Sequence, residues 1–387
     1  MQRTVEKVFF ALIRFEINGS ELCEEIKSLI TPEVLPALFK LSKRHDLAHL
    51  IGDALDKNGF LPEGGARKHF LQERNMAVYR YEQIQYEFEQ ICDTLEKVEI
   101  AFIPLKGSVL RAFYPEPWMR TSCDIDILID KKNLEKAKER LKNDLEYQVE
   151  QVESSHDVSL YAPSGVHLEL HYSLVEEGRN QSSSAVLYGV WENIIEGQMH
   201  QKAMTDEMFY FYHIAHMAKH FQIGGCGIRS FLDTYLLQKQ ERYRSEACFK
   251  LLQEGGLLAF AKGIEETANV WFGNIAGTQL SQEIQAYILY AGMYADLENR
   301  AAVEQVKKGG RVKYLWSRVF LPYKQLKVQY PNLEKHKILL PFYQIKRWFR
   351  LLFGKDSKNV SRELKANVNL QEEKKEHIAK LLKDLQL

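Results

Sequence analysis

The stretch CDIDILID, residues 123–130, alternates charged and apolar side chains with a period of two, which predicts a β-strand. Residues two apart on a strand point to the same face of a sheet. Asp124 and Asp126 therefore share one face, while the intervening isoleucines point into a core. Two neighbouring carboxylates repel each other unless a cation lies between them. The stretch thus predicts a half-buried strand that carries a candidate cation site.

A third carboxylate lies on VHLELHYSL, residues 166–174, which alternates in the same way. Because VSLYAP and a turn at Gly165 precede it, the two stretches predict a β-hairpin. Glu169 and His171 share one face of its second strand. If this strand lies beside the Asp124 strand, Glu169 completes a triad able to hold two metal ions for displacement at phosphorus. Mg²⁺ is the expected ion, with Mn²⁺ as an alternative.

A candidate phosphate-binding turn precedes the acidic strand. IAFIPL, residues 100–105, predicts a short strand, and the turn after it leads into a short helix, where backbone N–H groups attract anions. Lys106 offers a positive charge, Gly107 permits close backbone approach, and Ser108 offers a hydroxyl. Arg120 is a second candidate for phosphate contact.

Each of these motifs is weak by itself, because exposed strands and turns carry such residues freely. The order of the motifs is more specific: a Gly-Ser turn after one strand, an acid pair on the next, and a third acid beyond a hairpin. This combination favours a catalytic site over a solvated surface.

The motifs fall in the middle of a chain of 387 residues that predicts an α+β fold. Residues 1–98 are predicted to be helical, because apolar residues recur at spacings of three and four. Residues 99–178 form a small mixed-sheet core. Residues 179–300 are predicted to form a helical domain, and residues 301–387 a basic, aromatic helical segment.

FIPLKGSVLRAFYPEPWMRTSCDIDILID, followed by GVHLELHYSL, resembles the bacterial "nucleotidyltransferase family protein" group, a branch of the polymerase β-like superfamily. The shared pattern is a Gly-Ser turn, an acid pair on a strand and a third acidic strand residue. Weaker similarity extends into KRHDLAHLI and into the stretch from HIAHMAKHF to FLDTYLL. The sequence departs from the usual pattern in two places. Lys106 stands where an apolar residue usually precedes the turn, and Glu169 stands where Asp is commoner.

The resemblance implies a polymerase β-like core that transfers a nucleoside monophosphate from an NTP to a hydroxyl acceptor, with pyrophosphate as the leaving group. It assigns the metal to Asp124, Asp126 and Glu169, and the phosphates to the Gly-Ser turn with Lys106 and Arg120. Glu169 or Asp126 would help to deprotonate the acceptor, which is an unidentified small molecule or protein. For His171, acceptor contact, proton transfer and a structural role all stay open.

A helix face downstream is a second candidate region. His213, His216 and His220 are spaced to share one face, which suggests zinc ligands or acceptor contacts. No Glu accompanies them as in HExxH, so ordinary polar interaction is the preferred interpretation. His220, Arg229 and Asp233 are predicted to line the cleft around the acceptor, because the similarity runs through them.

Bulk composition excludes little. The formal net charge is zero, and five scattered cysteines without a CxxC pair suggest a reduced, cytoplasmic environment. The sequence contains no run of 18 uncharged apolar residues, so no membrane span is expected. Residues 307–355 are rich in Lys, Arg and aromatic residues, with Glu334 as the one acid before residue 356. This segment suits RNA, anionic lipid or an acidic protein, but the preferred interpretation is an aromatic face packed in a core.

Three functional alternatives follow from these patterns. One is an RNA-modifying nucleotidyltransferase that docks RNA on the basic segment. Another is a catalytically silent protein that retains the fold, against which the intact acid trio argues. The third is a histidine-based metallohydrolase, which lacks an identifiable base.

Overall fold

The computed structural model describes most of the chain and divides it into two compact units. The first unit comprises Met1–Met217 and Gly227–Gln282, and the second comprises Ala218–Cys226 and Glu283–Leu387. The residues described are 2–150, 154–175, 181–197, 199–291, 297–333, 336–353, 362, 367 and 370–387.

A five-stranded mixed sheet lies in the first unit. Its strands are β1 (Phe102–Pro104), β2 (Asp124–Ile129), β3 (Gln148–Val149), β4 (Asp157–Tyr161) and β5 (His167–His171). Their spatial order is β1-β2-β5-β4-β3, and β2 and β5 are the parallel pair. The strand–turn–strand order and the β4–β5 hairpin match the sequence-based prediction.

Helices make up most of the remaining structure. Those before residue 200 are α1 (Gln2–Asn18), α2 (Glu24–Leu29), α3 (Leu35–Arg44), α4 (Ala48–Lys57), α5 (Gly65–Lys97), α6 (Gly107–Leu110), α7 (Leu134–Leu145) and α8 (Gln181–Tyr188). Those after it are α9 (Asp206–Phe221), α10 (Ile228–Gln238), α11 (Glu246–Glu254), α12 (Leu258–Phe272), α13 (Gln279–Ala291), α14 (Leu297–Lys308), α15 (Arg311–Val319), α16 (Tyr323–Gln329), α17 (Leu340–Phe353) and α18 (Glu372–Asp384). The predicted α+β class is confirmed.

One face of the sheet is buried beneath two helices. Ile125, Ile127 and Ile129 are buried in one cluster with residues of α5 and α7. These isoleucines alternate with the acids of β2, as the period of two predicts. The apolar side of β2 therefore anchors the strand, and the acidic side faces away from this core.

The outer edge of β1 is covered by a segment from much later in the chain. The Phe102 N–H donates to the His200 carbonyl at 3.1 Å, and the Lys202 N–H donates to the Phe102 carbonyl at 2.8 Å. The Glu96 carboxylate at the end of α5 accepts from the backbone N–H groups of His200 and Gln201. Next to this segment, β6 (Ile194–Ile195) and β7 (Ala203–Met204) form a small hairpin.

The second unit is helical in its described residues. Helices α14 and α18 pack together, with Ile378, Leu381 and Leu382 buried. No helix among the described residues is both long and apolar enough to cross a membrane.

The preferred interpretation of the basic segment is wrong for several of its aromatic residues. Tyr314 is buried, as expected for a packed aromatic face. Trp316, Phe320, Phe342 and Phe349 are exposed instead. Helical periodicity identifies which side chains share a face but not which face meets the core, so the sequence could not decide between the two orientations.

Candidate active site

The parallel pairing of β2 and β5 brings the three predicted carboxylates together. Asp126 is paired with Glu169, and Asp124 with His167. Since paired residues on neighbouring strands point to the same face, the acids form one patch on the sheet. Asp126 is almost fully buried, with 2% of its side chain exposed, whereas 27% of the Glu169 side chain is exposed.

Two overlapping groups of side chains on this patch have the composition of a metal site. Asp124, His167 and Glu169 form one group, and Asp126, Glu169 and His171 form the other. Within each group the ligand atoms lie within 4.8 Å of one another. Glu169 belongs to both groups. Apart from these two, the described residues contain no cluster of three such side chains.

The donor atoms fit a divalent cation. Carboxylate oxygens are the preferred ligands of hard divalent ions. The Nε2 atom of His167 is buried and lacks a hydrogen-bond partner, so it offers a lone pair or a proton that no described residue uses. Burial raises the pKa of Asp124, and repulsion by Asp126 raises it further. A cation between these carboxylates would relieve both penalties.

Lys106 reaches this patch from the turn after β1. Its Nζ atom lies 2.6 Å from Oδ1 of Asp126 and 3.5 Å from Oε2 of Glu169. Burial by itself would lower the pKa of Lys106, but the charges of Asp126, Tyr212 and Glu169 together outweigh this effect and raise the pKa well above its ordinary value. Its backbone lies at φ +42°, a conformation that L-residues rarely adopt. The residue that adopts this strained conformation is therefore also the one that forms the ion pair with Asp126.

His171 supports Asp126 from the neighbouring strand. Its Nε2 atom lies 2.9 Å from Oδ1 of Asp126 and 3.4 Å from Oε2 of Glu169. Burial lowers the pKa of His171, but its hydrogen bonds to Asp126 and Glu169 and the charge of Asp126 together more than compensate, so the pKa is raised. Burial opposes ionisation of Asp126 in the same way, yet Lys106 and His171 together hold its pKa well below the ordinary value.

Gly107 lies where a larger residue would not fit easily. A Cβ atom built there would lie 3.2 Å from Cβ of Ser122 and 3.6 Å from Nη1 of Arg120. The turn therefore packs directly against the residues that lead into β2. Ser108 follows in α6 and is half-buried. The structure brings the turn to the acidic strand, as the motif order predicts.

Arg120 is engaged in a buried ion pair. Its Nε and Nη2 atoms lie 2.9 Å from the two carboxylate oxygens of Asp233 on α10. The Tyr114 hydroxyl donates to the same carboxylate at 2.7 Å. Burial lowers the pKa of Arg120, but the Asp233 carboxylate raises it above its ordinary value. This ion pair connects α10 to the segment before β2. Arg120 and Asp233, both predicted site residues, therefore bind each other.

Arg229 makes a second link to the same segment. Its Nη1 atom donates to Oδ2 of Asp46 at 2.7 Å and to the Thr121 hydroxyl at 2.9 Å. The Thr121 hydroxyl also donates to Asp46. Arg229 therefore links α10 to the turn at Asp46 and to Thr121, the residue that follows Arg120.

Among the described residues, the histidines of α9 do not form a group of three side chains that could hold a metal ion. His213 is buried, and its Nε2 atom lies 2.9 Å from the Thr234 hydroxyl. Burial lowers the pKa of His213 to about 4. It is a neutral core residue at ordinary pH. His220 belongs to the second unit, and His216 to the first.

Arg111 is a residue beside the candidate site that the sequence analysis missed. It is buried, its Nε atom donates to the Gly107 carbonyl at 2.9 Å, and its Nη2 atom donates to Ser122 Oγ at 3.1 Å. Within the described part of the chain, no carboxylate pairs with it. Burial, and to a lesser extent the positive charge of neighbouring Arg120, lower its pKa to about 10. A signal was present in the sequence, because Arg111 lies one helical turn after Gly107.

The comparisons with known proteins agree with this geometry. A family model described as "uncharacterised nucleotidyltransferase" matches residues 33–273, more than half of the chain. The chain belongs to this nucleotidyltransferase family, which confirms the resemblance predicted from its motifs. Neither the curated proteins nor the solved structures gave a match.

Proposed function

We propose that this protein is a Mg²⁺-dependent nucleotidyltransferase that moves a nucleoside monophosphate from an NTP to a hydroxyl acceptor and releases pyrophosphate. One observation carries the proposal. Three carboxylates lie side by side on two parallel strands, with a Gly-Ser turn packed against the start of one of them. This is the arrangement that metal-assisted displacement at phosphorus requires.

In this proposal Asp124, Asp126 and Glu169 hold Mg²⁺, with Mn²⁺ as an alternative. When bound, the ion neutralises phosphate charge and polarises the reacting phosphorus. Lys106 and His171 keep Asp126 ionised and correctly oriented, so both act as positioning residues. Glu169 is the more exposed of the two candidate bases, and its carboxylate therefore has better access to an acceptor hydroxyl than that of Asp126.

The phosphate end of the proposed site consists of Gly107, Ser108 and Arg111. Arg111 is a buried cation that pairs with no carboxylate among the described residues, so a bound phosphate would supply the missing negative charge. Arg120 was the sequence-based candidate for this role, but its guanidinium is engaged by Asp233. We assign Arg120 and Asp233 to positioning the turn, and Arg229 to holding the same segment from its other side.

The first experiment is a thermal-shift screen of the four NTPs with Mg²⁺, on wild type and on the Asp124→Ala/Asp126→Ala variant. One NTP is expected to stabilise the wild type by about 2.7 kcal/mol when its concentration is a hundred times its Kd. The double variant should show no such shift, because two of its three metal ligands are gone. The α-labelled form of that NTP then reports the acceptor in a cell extract.

Two outcomes of this screen would change the proposal. If no NTP shifts the wild type with either Mg²⁺ or Mn²⁺, the fold is catalytically silent. If the labelled acceptor is RNA, and RNA binding weakens steeply with salt, the enzyme is an RNA-modifying nucleotidyltransferase.

The assignment of Arg111 has its own test. Arg111→Met should weaken Mg²⁺–NTP binding about 10- to 100-fold, because charge-assisted hydrogen bonds to phosphate are lost. Thermal stability should be unchanged or higher, since the variant removes a buried charge. Arg140→Met, on the surface of α7, is the matched control and should alter neither property. Unchanged NTP affinity in Arg111→Met would remove Arg111 from the phosphate site.

A further inference from the structure

Helix α17 turns an apolar face outward. Phe342, Ile345 and Phe349 are spaced at i, i+3 and i+7, so they share one side of the helix. Their exposed fractions are 60%, 47% and 62%. On the opposite side, Gln344 and Arg347 are buried. This arrangement inverts the usual one, in which the apolar stripe of a helix meets the core and the polar side meets water.

Hydrogen bonds hold α17 in this orientation. The side chains of Gln344, Arg347 and Trp348 donate to the carbonyls of Leu321, Arg318 and Val319 at 2.6, 2.9 and 2.7 Å, respectively. These carbonyls lie at the end of α15, where a helix leaves its last carbonyl groups without intrahelical partners. The polar side of α17 thus caps α15, and the apolar side is fixed outward.

Helix α15 continues the same surface. Val312, Trp316 and Phe320 are spaced at i, i+4 and i+8 and are 67%, 59% and 45% exposed. The Trp316 and Phe320 rings stack with centroids 5.1 Å apart. Phe320 contacts Trp348 of α17 edge to face at 5.4 Å. We call the joined surface the apolar face; it consists of Val312, Trp316, Val319, Phe320, Phe342, Ile345 and Phe349.

Positive charge surrounds the apolar face. Arg311 and Lys313 on α15, and Lys346 and Arg350 on α17, are all exposed. Residues 307–353 contain twelve Lys and Arg residues and a single acid, although the whole chain has zero net charge. The concentration of charge beside exposed apolar side chains indicates an anionic partner that also offers an apolar phase.

We propose that the apolar face docks on an anionic lipid bilayer. The aromatic and aliphatic side chains enter the boundary between headgroups and acyl chains, and the surrounding Lys and Arg residues pair with lipid phosphates. Both helices lie outside the region matched by the nucleotidyltransferase family, residues 33–273. The proposal is therefore independent of the proposed activity and concerns where the protein acts.

The observations favour a membrane over two other occupants. RNA would stack on the aromatic rings, but it would gain nothing from exposed Val312, Val319 and Ile345. A second copy of the chain would place one cationic face against another, and like charges repel. A bilayer surface satisfies both the aliphatic side chains and the charge.

Flotation of the full-length protein with vesicles tests the proposal. The protein should float with vesicles of phosphatidylcholine and phosphatidylglycerol, and much less with phosphatidylcholine alone. Phe342→Ala/Phe349→Ala should lower the partition coefficient roughly tenfold or more, because two inserted side chains are removed. Arg311→Glu/Lys313→Glu should lower it to a similar extent by removing attraction to the headgroups.

Matched controls separate docking from general effects of substitution. Tyr79→Ala/Tyr188→Ala removes two aromatic side chains that are 62% and 71% exposed elsewhere, and Lys40→Glu/Lys68→Glu reverses two exposed charges. Both controls should float like the wild type. Trp316 emission should shift to the blue on vesicle binding, and this shift should be absent in Trp316→Phe.

Three results would overturn the proposal. The first is absence of flotation with anionic vesicles, or equal flotation of wild type and both test variants. The second is RNA binding that the same variants abolish while vesicles are ignored. The third is a dimer in solution that Phe342→Ala/Phe349→Ala dissociates.

Discussion

Asp126→Asn is expected to lower nucleotidyl transfer on the order of 10³-fold, the size of effect that follows loss of one electrostatic group in a preorganised site. Asn has nearly the same shape and still accepts the hydrogen bond from His171. It removes the negative charge that would hold the metal and that neutralises Lys106. Transfer of label from the α-labelled NTP to its acceptor measures the loss, and calorimetry with Mn²⁺ and NTP measures binding.

Asp130→Asn is the matched control for this substitution. Asp130 directly follows β2 and accepts a hydrogen bond from the Lys132 N–H, which Asn can also accept. Its activity should equal that of the wild type. If Asp126→Asn instead keeps more than a tenth of the wild-type activity, Asp126 does not hold the metal and the proposed chemistry fails.

Asp233→Ala should destabilise the protein by about 3–5 kcal/mol, because Arg120 would be left buried and uncompensated. The Tyr114 hydroxyl would also lose its acceptor. The free energy of unfolding, measured with urea at neutral pH, reports this loss. We also expect weaker NTP binding in the fraction that stays folded, since Nη1 of Arg120 lies close to Gly107.

An exposed ion pair provides the comparison. Asp144 pairs with Arg140 on the surface of α7 at 2.8 Å, with 33% and 44% of their side chains exposed. Asp144→Ala should cost less than about 1 kcal/mol. A similarly small loss in Asp233→Ala would show that the Arg120 pair does not hold the turn, and its assignment as a positioning pair would be withdrawn.

The acid triad was accessible from sequence because strand periodicity is short-range. Alternation in CDIDILID and VHLELHY determines which side chains share a face, and the hairpin turn determines how β4 meets β5. The hairpin was predicted on the same basis. The adjacency of β2 and β5 was only a condition in that argument, because nothing local selects a parallel neighbour about 40 residues away.

The partners of the basic residues could not be predicted from sequence. Arg120 and Asp233 are 113 residues apart, and their pairing depends on how α10 packs against the segment before β2. Lys106 and Asp126 are closer in sequence, yet their contact requires the β1–β2 pairing. The two basic residues, Lys106 and Arg120, were both predicted to contact phosphate. Whether each one meets a phosphate or a carboxylate is decided by tertiary packing.

The orientation of the basic segment could not be predicted for a different reason. Amphipathic periodicity gives the same pattern whether the apolar side meets a core or another phase. The deciding contacts are the side-chain hydrogen bonds from Gln344, Arg347 and Trp348 to carbonyls at the end of α15. These are specific long-range contacts that leave no periodic trace.

The segment at residues 200–202 has a consequence for how the protein behaves at high concentration. A β-sheet can recruit strands from other molecules wherever its outermost strand is long and unpaired. Here one border is closed by the hydrogen bonds from Phe102 to residues 200–202, which Glu96 anchors. The opposite border, β3, is only two residues long. Among the described residues, the nucleotidyltransferase sheet therefore offers no extended template for intermolecular strand pairing, which disfavours ordered aggregation.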